Sequence, residues 1–179
     1  MIRLLPPDAF RHMPWKNGLG VTIEIAASPE GADLAAIDWR VSMARVETTG
    51  PFSLFPGIDR TLCVLEGEAL TLEIAGRGVV RLDRDSEPYA FPADIATVGT
   101  PTAGGILDLN VMTRRGRWRH RVRHVAGPAG LDGDVNLLVN RGPAMKLGDF
   151  DLPSGGAAIL TAGRVAPSRP VYAIELFRT

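Results

Sequence analysis

Glycine and proline interrupt this chain so often, at 20 and 14 of its 179 positions, that no stretch of about 15 residues keeps a helical hydrophobic period clear of both. The chain therefore reads as mainly β. Candidate strands, each bounded by Gly, Pro, Asp or Asn, cover residues 21–27, 39–46, 60–65, 69–74, 78–82, 106–113, 118–125, 135–140, 157–161 and 171–177. Many short strands imply a β-sandwich or barrel. Residues 33–36 and 144–150 are read as single helical turns.

With 45% hydrophobic residues the chain is long enough for one full core, or for two small lobes sharing one. The stretch Gly127-Pro128-Ala129-Gly130-Leu131-Asp132-Gly133-Asp134 is too rich in turn formers for a buried strand and is read as a linker. Residues 1–126 then form an N-terminal lobe carrying a ligand pocket, and residues 127–179 a partial, degenerate second lobe within one compact unit.

Twenty basic side chains cancel twenty acidic ones, so no global field draws the protein to nucleic acid or to a membrane surface. A small neutral or anionic metabolite is the expected partner. Cys63 is the single cysteine, which excludes an intramolecular disulfide and a multi-cysteine zinc site. Residues 1–8 lack an apolar core of signal-peptide length, and no run of about eighteen apolar residues occurs, so a cytoplasmic location is expected.

The central segment from Arg60 to Ile74 reads as strand, Gly-containing turn and strand. Its Leu65-Glu66-Gly67-Glu68 turn resembles the cupin hairpin, and Pro92-Ala93-Asp94 resembles the second cupin motif roughly 25 residues later. In metal-binding cupins the first motif carries a His-x-His pair and a glutamate seven residues before this glycine. Here Arg60 occupies the glutamate position, and the preceding Ser53-Leu54-Phe55-Pro56 holds no histidine. A guanidinium repels a divalent cation but presents a donor fork to carboxylate or phosphate, so the position reads as an anion site with no metal and no cofactor. The competing reading has Arg60 on the surface, paired with Asp59 or Glu66.

Period-2 alternation adds polar neighbours. In residues 38–44, Arg40, Ser42 and Ala44 share one face and Trp39, Val41 and Met43 the other. In residues 107–113, Asp108, Asn110 and Met112 lie together, opposite Leu107, Leu109 and Val111. Asn110 offers a ligand both a donor and an acceptor. The run Met13-Pro14-Trp15-Lys16-Asn17-Gly18-Leu19-Gly20 is too irregular for a helix and too polar for a core strand, and its glycines allow a tight loop that presents Lys16 and Asn17 to a small polar ligand. Arg60, Lys16, Asn17, Arg40, Asn110, Ser42 and Trp15 form the candidate binding set.

These pieces together resemble the HutD/Ves family, cupin-type proteins associated with bacterial histidine utilisation. The resemblance is carried by Met-Pro-Trp-Lys-Asn-Gly at 13–18, Val-Thr at 21–22, Asp-Trp-Arg-Val-Ser at 38–42, Gly-Pro-Phe-Ser at 50–53, Phe-Pro-Gly-Ile-Asp-Arg-Thr-Leu at 55–62 and Asp-Leu-Asn-Val-Met-Thr-Arg at 108–114. It implies a compact bicupin without a catalytic metal. It also implies a ligand that is a carboxylate of histidine breakdown, urocanate or a formylated glutamate derivative, and a role in tempering expression of that pathway. Leu19 stands where the family commonly has a third consecutive glycine, which narrows the loop's freedom. Leu109 stands where an aromatic is frequent, on the face expected to point into the core.

Other chemistry is less well supported. Arg115, Arg117, Arg119, Arg121 and Arg123 would form a stripe on one strand face, but the zero net charge and the lack of interleaved aromatics argue for a solvated face or a homodimer interface over nucleic-acid binding. His12, His120 and His124 lack metal-ligand spacing, and Cys63 lies in an apolar run that suits an inert core thiol. The expectation is a binding or regulatory protein. The alternative is a metal-independent isomerase or epimerase of cupin type acting on a carboxylated metabolite.

Overall fold

The computed structural model describes residues 1–15 and 20–179. All ten expected strands form, their ends displaced by no more than one or two residues. The chain divides into two compact units, Arg11–Arg115 and Met1–Phe10 with Gly116–Thr179. The divide precedes the expected linker, because Trp118–Val125 pairs along its whole length with Val171–Arg178. Residues 127–134 are themselves partly strand: Ala129–Leu131 pairs with Gly163–Val165, and Leu131 is buried.

Two helical expectations are corrected. Residues 34–36 form a turn closed by Ala36 N donating to Asp33 O at 2.8 Å. Residues 144–150 contribute to a β-hairpin, Met145–Leu147 pairing with Phe150–Leu152. Alternation decides the second case, since Met145, Leu147 and Leu152 are buried while Lys146 and Asp151 point out and pair at 2.8 Å. Among the described residues the only helix is a 3-10 turn at Pro7–Ala9, and no helix is long and apolar enough to cross a membrane.

The Arg11–Arg115 unit holds two antiparallel sheets. Six strands run in the order Arg11–Pro14, Val21–Ser28, Trp39–Val46, Ile106–Arg114, Ile58–Glu66, Tyr89–Pro92. Four run in the order Gly50–Pro51, Thr97–Pro101, Ala69–Ile74, Gly78–Asp83. Val46, Leu62, Val64, Phe91 and Ile106 of the first sheet pack against Leu70, Leu72, Ile74 and Leu82 of the second, giving an apolar core on the six-stranded sheet's inner face. Leu109 is fully buried on the opposite face, with Trp39, Val41, Met43 and Val111.

The other unit is built on a five-stranded sheet in the order Ile2–Leu5, Ala157–Leu160, Val135–Val139, Val171–Arg178, Trp118–Val125. Its core gathers Leu131, Leu138, Met145, Leu147, Leu152, Leu160 and Val171. Here the arginine stripe finds partners within its own unit. Arg121 grips Glu175 through Nε and Nη2 at 2.8 and 2.6 Å, Arg123 Nε adds a bond at 3.0 Å, and Asp132 N donates a fourth at 3.0 Å. Arg119 lies over the Phe177 ring at 4.1 Å. Arg115 belongs to the first unit, where it clamps Asp59 at 2.7 Å and Asp94 at 3.0 Å.

Glu175 is fully shielded from solvent, 0% exposed. Burial works to raise its pKa, yet the bonds from Arg121, Asp132 and Arg123 outweigh it and hold the carboxyl at about 2. A folded value below the unfolded one stabilises the fold fully above the ordinary carboxylate range and is lost as pH falls toward about 2. Glu175→Gln should therefore cost about 2 kcal/mol at neutral pH, with that cost shrinking in acid. Urea unfolding followed across pH checks both.

Candidate functional site

Strand register brings the polar side chains of the inner face together. Asn110 lies between Ser42 and Leu62, with Glu24 beyond Ser42. Met112 lies between Arg40 and Arg60, with Phe91 beyond Arg60. Asp108 lies between Ala44 and Val64. Because side chains repeat every second residue, these positions all project from the same side of the sheet. Glu24, Arg40, Ser42, Arg60, Asp108 and Asn110 are all buried.

Burial makes partners obligatory, and the two arginines meet that need differently. Arg40 Nε donates to Glu24 Oε2 at 2.7 Å, a charge-assisted bond between two shielded groups. Arg60 Nε donates instead to an amide, Asn110 Oδ1, at 2.6 Å. Asn110 Nδ2 in turn donates to Asp108 Oδ1, which also accepts Ala44 N at 3.2 Å. Asp108 thus reaches Arg60 through Asn110. Burial pulls Arg60 down to about 10 against the pull of Asp108, and pushes Asp108 up to about 7 against the pull of Arg60.

Aromatic rings back the Arg60 guanidinium. Its central carbon stands 4.5 Å from the Phe52 ring centroid and 5.7 Å from that of Phe91. Phe52 fits there because Gly99 has no side chain: a methyl group at that position would come within 2.6 Å of the ring. The glycine is a packing requirement of the arginine's neighbourhood.

Arg60, Arg40, Ser42 and Asn110 are therefore assembled on one buried face, as alternation predicts. The surface alternative for Arg60 does not occur: Asp59 pairs with Arg115, and Glu66 with Arg45 at 3.1 Å. Trp15 donates its N to Gly20 O at 2.9 Å and its Nε1 to Thr22 Oγ1 at 2.8 Å. Lys16 and Asn17 lie outside the described residues. Sequence reasoning missed Glu24 and Phe52. Glu24 was detectable as a lone carboxylate alternating with Ile23 and Ile25, whereas Phe52 becomes a neighbour of Arg60 only through tertiary folding.

The donor set does not suit a divalent cation. Two guanidinium groups carry permanent positive charge into the cluster, and among the described residues no three His, Cys, Asp or Glu side chains are grouped to hold a metal.

The HutD family model matches residues 7–150. This chain belongs to the HutD family. Protein Ves of Citrobacter koseri is 38% identical over 117 residues, which cover 63% of this chain and 60% of that protein's length. The structure of HutD from Pseudomonas fluorescens SBW25 superposes with a TM-score of 0.89 at 25% identity, over 100% of both chains. Oxalate decarboxylase of Bacillus subtilis shares the fold alone, with a TM-score of 0.63 at 7% identity over 99% of this chain and 77% of that one. The architecture of this HutD-family chain is cupin-type.

Removing one member of the Arg40–Glu24 pair leaves a buried charge unmatched. In this HutD-family chain Glu24→Leu should cost about 3–5 kcal/mol, and Arg40→Met added to it should recover most of that loss. Denaturant titration of the single and double variants measures both changes. Equal stability of the two would show that the arginine left behind carries no penalty.

Proposed function

We propose that this HutD-family protein is a metal-free binding and regulatory protein for a small carboxylate metabolite. The buried Arg60, its Nε fixed by Asn110 and its face backed by Phe52, carries this reading. A guanidinium held in place and partly desolvated pairs with a carboxylate more strongly than one on the surface. Arg40 and Ser42 share the buried face with Arg60, and Trp15, Lys16 and Asn17 complete the binding set. The ligand is an acid of histidine breakdown, urocanate or a formylated glutamate derivative, and its binding tempers that pathway from the cytoplasm. Membership in the HutD family supports this role.

Calorimetric titration with urocanate and with N-formylglutamate tests the reading. One of them should bind saturably, and Arg60→Ala should weaken it by at least ~1.5 kcal/mol, the lower end for a hydrogen bond to a charged group. Unchanged affinity in that variant would remove Arg60 from the site. NMR of each acid incubated with the protein should show no new resonances, whereas turnover to an isomer or epimer of the acid would make the protein a metal-independent isomerase or epimerase.

A further inference from the structure

The site has a built-in charge conflict. An anion placed on Arg60 adds negative charge next to Asp108, a carboxyl 1% exposed that reaches the same guanidinium through one amide. Two carboxylates sharing one buried cation cannot both stay ionised at low cost, and the group that takes a proton is the one water cannot reach. Arg40 cannot relieve the conflict, since Glu24 already holds it at 2.7 Å.

We propose that the site takes up its anion together with one proton, and that Asp108 accepts it. The inference rests on the anion-site reading of Arg60. The proton comes from solvent and settles on Asp108 Oδ2, because Oδ1 already accepts two donors, Ala44 N and Asn110 Nδ2. No other bond forms or breaks. Asn110 keeps its orientation throughout, its oxygen toward Arg60 and its amide nitrogen toward Asp108, so the carboxyl's charge state is felt directly at the guanidinium. Asp108 is thus the residue that sets how much negative charge the site tolerates.

Four other charged groups surround Asp108 on this sheet face and its rim. Arg40 and Arg60 share its face on the two neighbouring strands, opposite Met112, while Glu24 is Arg40's ion partner and Arg11 meets Glu24 at 4.0 Å on the rim. The four-stranded sheet presents Leu70 and Leu72. Cys63, on the opposite face of the neighbouring strand, is pushed up to about 12 by burial and then by Asp108 itself. Asp108, raised to about 7, lies where physiological pH divides its two forms.

Titrating N-formylglutamate and urocanate into the protein at about pH 8, in buffers of differing ionisation enthalpy, counts the protons taken up. Wild type should take up close to one proton per anion more than Asp108→Asn, a difference in which the ligand's own titration cancels. Wild-type affinity for N-formylglutamate should fall about tenfold from pH 6 to pH 8, while Asp108→Asn, which mimics the protonated carboxyl, stays level. Equal proton counts, or parallel pH profiles, would overturn the role of Asp108 and leave the anion site standing. Absence of binding by either acid at any pH would remove the anion site itself, and this inference with it. Should Asp108→Asn not fold, the wild-type proton count alone decides.

Discussion

Arg40 and Arg60 stand on the inner face of a β-sheet, where a charge without a partner costs several kcal/mol, and much of the surrounding structure answers that cost. One arginine is closed by a carboxylate in direct contact. The other is held by an amide, with the compensating carboxylate one residue further away. Apolar side chains fill the core below them, so the polar groups meet at one region of the face and leave the rest to Leu62, Val64 and the opposite sheet. Such asymmetry suits recognition, because a cation tied to an amide retains attraction for an anion that a closed ion pair has already spent.

The Gly116–Thr179 part of the chain handles charge in the inverse way. There the buried group is an anion, Glu175, and the cations that satisfy it reach in from positions that keep solvent contact. Four donors on one carboxylate leave it little capacity for anything else. Two arginines of a stripe that in isolation resembles a polyanion-binding surface are thereby committed to holding their own sheet.

What could be read from the sequence follows from what periodicity can and cannot encode. Alternation placed Arg40, Ser42 and Asn110 on common faces, and the cupin-like hairpin placed Arg60, since strand parity is local information. The identity of Arg40's partner was not legible, because Glu24 meets it only through the sheet's strand order. Short strands such as Ile2–Leu5, Tyr89–Pro92 and Thr97–Pro101 escaped notice since few residues and a proline give too little alternation to register. Residues 144–150 were misread although Met145 and Leu147 alternate around Lys146; a turn at Gly148-Asp149 was the overlooked sign.

The pairing of Ile2–Leu5 with Ala157–Leu160 has a bearing on how the protein is made. Residues 11–115 form a contiguous unit whose pairings are complete once that segment has left the ribosome. Residues 2–5, by contrast, are synthesised before that unit and find their strand partner only after residues 157–160 have emerged. Loop closure over so long a separation is slow relative to local hairpin formation. The Ile2–Leu5 strand is therefore sealed late, and until then Ala157–Leu160 offers nascent chains an open strand edge through which they can pair with one another.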